Sequence, residues 1–130
     1  MTTNDNMTNG VSSMIMGQFG YAETNANSGK AARAGERALL RQSIDLLKLA
    51  KEQGTQSKAA VEAVYFTNRL WTAFIEDLGG EENRLEPTLR ANLISIGISI
   101  LRSTGRIREG DETAIDEIVE VSGIILDGLR

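Results

Sequence analysis

From residue 31 onward, apolar side chains return every three or four positions, the period of a helix that buries one face. Glycine, proline and capping residues divide this pattern into four blocks. The first runs from Ala31 to about Gln53, with Ala38, Leu39, Leu40, Ile44, Leu46, Leu47, Leu49 and Ala50 in helical register and Gly54 as the stop. Ser57 is placed to cap a second helix ending at Leu78, where Val61, Val64, Tyr65, Asn68, Trp71, Ile75 and Leu78 form a stripe that Leu70 and Phe74 widen. Gly79-Gly80 ends that helix, and Pro87 sets the first turn of a third that reaches Gly105 or Arg108. Asp111 caps a fourth, carrying Ile115, Ile118, Val119, Ser122, Ile125, Leu126 and Leu129 at spacings of three and four. The predicted fold is all-α, a small bundle of about four helices.

One segment imitates a strand. Ile94, Ile96, Ile98 and Ile100 alternate with serine and glycine in a period of two. No second strand-like run is present to pair with it, and a lone strand leaves its backbone groups without partners, so the segment reads as helix. Wrapped that way, Leu89, Leu93, Ile96 and Ile100 share one face while Ala91, Ile94, Ile98 and Leu101 share another. Such a helix is apolar on most sides and is expected at the centre of the fold, with Gly97 admitting a close neighbour.

Residues 1–27 carry no such period. They are rich in Asn, Thr, Ser and Gly, and they read as a flexible or loosely docked tail ahead of a helical domain over 28–130. Phe19 and Tyr21 stand out in this tail as aromatics that either dock on the domain or meet a partner.

Composition narrows the chemistry. A chain of 130 residues fits one domain. It has neither cysteine nor histidine, which removes disulfides, thiol nucleophiles, Cys-rich zinc sites and imidazole acid-base chemistry. The net charge of -4 disfavours nonspecific binding to nucleic acid or to an anionic membrane. The longest apolar run, Leu93 to Leu101, is far short of the roughly 20 residues needed to span a bilayer, and no secretory signal pattern opens the chain. A cytoplasmic protein is expected.

No motif points to catalysis. Asp116, Glu117, Glu120 and Asp127 make the last helix acidic, but a helical carboxylate metal site also draws on histidine, so these read as a solvated face and no metal or cofactor is expected. Arg102, Arg106 and Arg108 complement the dipole at the end of the third helix, and no aromatics interleave with them as an RNA surface would require. Neither a P-loop nor a dinucleotide fingerprint is present. Trp71, on an aliphatic stripe, reads first as core. Beside it, Asn68 and Arg69 read either as a solvated pair or as an anchored contact to a partner or to the next helix.

The stretch from Asn68 to Ile98 carries a family resemblance. Asn68-Arg69-Leu70-Trp71, the Asp77-Leu78-Gly79 break, Leu85 and Pro87, and Arg90-Ala91-Asn92-Leu93-Ile94-Ser95-Ile96-Gly97-Ile98 resemble the flagellar biosynthesis regulator FlaF of alphaproteobacteria. Gln56-Ser57, Val61-Glu62-Ala63 and Ile124-Ile125-Leu126-Asp127-Gly128-Leu129 extend it, and the resemblance covers roughly Met16 to Arg130. The 15 residues before Met16 are then an extension, a misassigned start or an added remnant. The chain departs from the family pattern at Phe66-Thr67-Asn68, where relatives commonly carry a basic residue, and at Ser99, where many carry Trp.

The resemblance implies a small non-enzymatic factor for flagellum assembly, supporting flagellin synthesis or secretion as a chaperone-like binder. Flagellin is the expected partner, with a regulator of the FlbT type as another. The second and third helices are expected to form an apolar groove for a flagellin helix. The candidate partner-binding residues are Asn68, Arg69, Trp71, Arg90, Asn92, Ile94 and Ile98. Alternatives are regulation of flagellin expression through a protein partner, and a homo-oligomeric structural domain that packs its surplus apolar face on a second copy.

Overall fold

A computed structural model describes the backbone of residues 29–128 and the side chains of residues 34–128. The described chain forms four helices: α1 (Gly29–Gln53), α2 (Lys58–Leu78), α3 (Pro87–Arg108) and α4 (Thr113–Gly128). The tail expected over 1–27, with Phe19 and Tyr21, lies outside the described residues. The alternating isoleucines lie within α3, so the helical reading of that segment holds.

Local chemistry sets the boundaries. Gly54 takes φ +105°, a left-handed value that favours glycine, and its N–H donates to the Ala50 carbonyl to close α1. Three residues on, the Ser57 hydroxyl donates to the Gly54 carbonyl and accepts the Ala60 N–H, tying the end of α1 to the start of α2. In the loop after α2, the Asn83 side chain donates to the Asp77 carboxylate and accepts the Leu85 N–H, while the Arg90 guanidinium donates to the Asn83 carbonyl. Burial pushes the Asp77 carboxyl above its usual range, and the Asn83 hydrogen bond works against that shift. Glu86 caps α3 by accepting the Leu89 N–H, with Pro87 in the first turn. Asp111 precedes α4 and accepts both the N–H and the hydroxyl of Thr113.

The helices form a ring. α1 packs on α2, α2 on α3, α3 on α4, and α4 closes against α1, with no backbone approach across either diagonal among the described residues. Asn68 of α2 meets Thr104 of α3, and Trp71 and Ile75 lie against Gly97, so α2 and α3 run antiparallel. The core is built from Leu39, Leu40 and Leu47 of α1, Ala63, Leu70, Trp71 and Phe74 of α2, Ile100 and Ile107 of α3, and Ile115 and Ile118 of α4. Within it, the Ser43 and Thr67 hydroxyls are 2.8 Å apart and bonded to each other, so neither buried polar group is left without a partner.

This ring corrects one expectation and adds to another. α3 is not central: its buried positions are Gly97, Ile100, Ser103, Thr104 and Ile107, whereas Ile98 is 42% and Leu89 40% exposed. Each helix of the ring has two neighbours, and α2 is more buried than α3, with ten buried positions against five. The acidic face of α4 is solvated but not unopposed. Asp116 pairs with Lys51 of α1 at 2.7 Å, and Glu117 pairs with Arg106 of α3 at 2.8 Å. Arg106 also holds Asp111 at 2.8 Å, so the arginine ascribed to the helix dipole joins the end of α3 to the start of α4. Hydrogen bonds from Thr113 and Arg106 hold the Asp111 carboxyl below its usual range.

Candidate partner-binding groove

The α2 helix has two faces that the sequence does not separate. Positions 60, 64, 67, 71 and 74 are buried against neighbouring helices. Rotated about 100° from 60, 64, 67 and 71 in turn, positions 61, 65, 68 and 72 form the next stripe. That second stripe faces an open groove of about 530 Å³, completed by Thr55 and Gln56 of the α1–α2 turn and by Ile107 and Arg108 at the end of α3. Its lining is largely apolar: Ala60 and Val64 are buried, while Val61 is 66% and Tyr65 63% exposed.

Val61 and Tyr65 were expected on the buried stripe with Val64 and Trp71. Their exposure is the correction, and its cause is geometric. Helices α1 and α3 together cover an arc of α2 that includes positions 60, 64, 67 and 71 but stops short of 61 and 65. The cue present in the sequence was the width of the apolar face, which exceeds what two neighbouring helices cover.

Polar groups frame the groove. The Thr104 hydroxyl donates to the Asn68 carboxamide at 2.8 Å, so Asn68 is anchored to the next helix, the sharper of its two readings. The Arg69 guanidinium lies 5.6 Å from the centre of the Tyr65 ring, a cation-π geometry that braces this exposed aromatic. Arg108 adds a second cation to the lining.

The other candidate residues lie elsewhere. Trp71 is 2% exposed, with its ring 4.9 Å from that of Phe74 and its indole N–H without an acceptor among the described residues. A partner cannot reach it without parting α2 from α3, so Trp71 leaves the surface set and takes the core role. Arg90 supports the α2–α3 loop through Asn83, and Asn92 is solvent-facing. Ile94 is half-buried and Ile98 exposed on α3, but neither lines the groove. The structure thus brings Asn68 and Arg69 together in one concavity and leaves Asn92, Ile94 and Ile98 on α3 outside it. Among the described residues no cluster of three or more carboxylates converges as a metal site, and no helix is long and apolar enough to cross a membrane.

The sequence model of one family, described as flagellar protein FlaF, matches residues 17–129. No curated protein and no solved structure matches the chain.

Proposed function

As the chain belongs to the FlaF family of flagellar proteins, we propose that it is a non-enzymatic assembly factor that binds flagellin before export, holding an amphipathic helical segment in the groove between α2 and the end of α3. The observation that carries this reading is the pair Val61 and Tyr65, exposed side by side over a buried apolar floor. An amphipathic helix recognises such a surface by laying three or four apolar side chains into it. Arg69 and Arg108 add a preference for acidic residues flanking the apolar stripe of the client. The site of action in this reading is the cytoplasm, where flagellin is made.

The test is co-expression with the flagellin of the same organism, followed by size-exclusion chromatography with light scattering on the mixture and on each protein alone. A discrete complex is expected. Val61→Asp combined with Tyr65→Ser should weaken it at least tenfold, with helicity by circular dichroism unchanged, because both side chains are already solvent-exposed in the free protein. A complex of undiminished affinity in this variant would remove flagellin from the groove.

A second reading rests on Leu89 and Ile98, exposed on α3 outside the groove. They offer a separate face to a regulator of the FlbT type or to a second copy of this chain. Ile98→Ser distinguishes the readings: loss of flagellin binding in that variant, with the groove variant intact, moves the client to α3, and a fall in the mass of the isolated protein assigns that face to self-association.

A further inference from the structure

We propose that the groove selects its client by a polar match: the helix it takes carries an asparagine or glutamine within its apolar stripe, and that carboxamide pairs with Asn68 and Thr72. The client's identity as flagellin rests on the reading above; the polar match rests on α2 and α3 alone.

The groove is zoned along α2. Ala60, Val61, Val64 and Tyr65 form its apolar part together with Ile107 of α3, and Asn68 and Thr72 continue the exposed stripe as its polar part. At about 1.5 Å per residue, Tyr65 and Val61 stand about 4.5 Å and about 10.5 Å before Asn68 along the helix, and Thr72 about 6 Å after it.

Asn68 is held in place against α3. The buried Thr104 hydroxyl lies 2.8 Å from the Asn68 carboxamide oxygen and 2.7 Å from the Leu101 carbonyl, so its one proton is shared between them and the amide is pinned. This contact occupies the carboxamide oxygen and leaves the NH2 group of Asn68 without an acceptor among the described residues. The exposed Thr72 hydroxyl has no bonded partner among the described residues either.

In the free protein, solvent meets both groups. A client helix that covers them removes that solvent, and must then offer Asn68 an acceptor or leave a donor stranded. A carboxamide serves both partners at once. Its oxygen accepts from the Asn68 NH2, and its own NH2 donates to Thr72 Oγ1, on a side chain about 5–6 Å from that of Asn68 between Cβ atoms. Leucine at the same point serves neither, and a carboxylate accepts from both only at the greater cost of burying a charge. A single buried polar position of this kind fixes register and partner in coiled coils, where some affinity is exchanged for discrimination. Because Tyr65 and Val61 lie one and two turns from Asn68, the client stripe reads apolar, apolar, carboxamide at spacings of three or four.

The probes are three fluorescein-labelled synthetic amphipathic helices, identical except for Leu, Gln or Glu at the centre of a leucine stripe, titrated with the full-length protein by fluorescence anisotropy. The Gln peptide should bind about tenfold more tightly than the Leu peptide, and more tightly than the Glu peptide. Asn68→Leu should reverse the Gln-over-Leu preference with helicity by circular dichroism unchanged, because Thr104 keeps the Leu101 carbonyl as its acceptor. Thr72→Val, at an exposed position, should narrow the same preference and decides the matter should Asn68→Leu not fold. Val61→Asp with Tyr65→Ser should weaken all three peptides. A parent protein that binds the Leu peptide as tightly as the Gln peptide, that prefers the Glu peptide, or that binds none of them overturns the polar match, as does a preference that neither Asn68→Leu nor Thr72→Val alters. The Gln preference in a protein that forms no complex with flagellin upholds the match and removes flagellin as the client. A flagellin complex weakened by the Val61 and Tyr65 changes, with no Gln preference among the peptides, keeps flagellin in the groove and overturns the match.

Discussion

Two positions in the core show how single side chains fix the packing. The Ser43–Thr67 hydrogen bond is buried, so removing one partner strands the other hydroxyl in an apolar setting, at a cost of about 1–3 kcal/mol. Thr67→Val alone should lower stability by that amount in urea unfolding, and Ser43→Ala with Thr67→Val should recover most of the loss; a double variant as unstable as the sum of the singles would show that the pair contributes through packing and not through its polar match. Gly97 marks the closest approach of α3 to α2. A Cβ there would stand 2.8 Å from Ile75 Cγ1 and 3.1 Å from Trp71 Cε3. The isoleucine end can shift, but the indole is rigid, so Gly97→Ala should destabilise by about 1–2 kcal/mol despite alanine's better helix propensity. Adding Ile75→Val should return part of that loss in a double-mutant cycle, whereas a neutral Gly97→Ala would mean that the helices separate freely at this point. A glycine inside an isoleucine run was legible in the sequence as a close approach. Its partners were not, because they lie more than 20 residues away in the chain.

At the scale of elements, the junctions between helices follow from local chemistry: a left-handed glycine after α1, the Ser57 cap, Pro87, and the Asp111 carboxylate before α4. The α2–α3 loop is the exception, organised around Asn83 and the partly buried Asp77. A carboxyl whose folded-state pKa is raised is penalised when charged, so it weakens the fold at neutral pH, and the penalty disappears as the pH falls through the raised value. Asp77→Asn keeps an acceptor for Asn83 while removing the charge. It should therefore raise the melting temperature at pH 7, with the gain shrinking as the pH falls through the raised value towards the ordinary carboxylate range, where the parent carboxyl is protonated in the folded and unfolded states alike. A gain independent of pH would assign the effect to something other than that charge. Arg106 illustrates what element-level reading leaves out. Its position fits the dipole of α3, yet its partners Asp111 and Glu117 lie in the following turn and helix and are set by how α4 folds back.

For the whole molecule, the ring of four helices decides what is surface. Val61 and Tyr65 are exposed because no helix fills the arc of α2 beyond α3, and Leu89 and Ile98 because α3 has two neighbours and not three. The loss of flagellin binding on changing Val61 and Tyr65, with helicity retained, is the prediction that belongs to this scale. Of the candidate residues, Asn68 and Arg69 lie at the groove, whereas Trp71 was drawn into the set by its place in a motif and is held in the core by packing.

The sequence by itself determined the helical class, the four segments and their caps, the helical nature of the isoleucine run and the resemblance that leads to the FlaF family, because hydrophobic period, capping and turn chemistry act over a few residues. Tertiary structure alone decided which apolar stripe of each helix is covered, which cations meet the acidic face of α4, and where a concave surface remains. Those outcomes depend on the number and placement of neighbouring helices, and an amphipathic pattern states how much of a helix is apolar without stating how much of that its neighbours will hide.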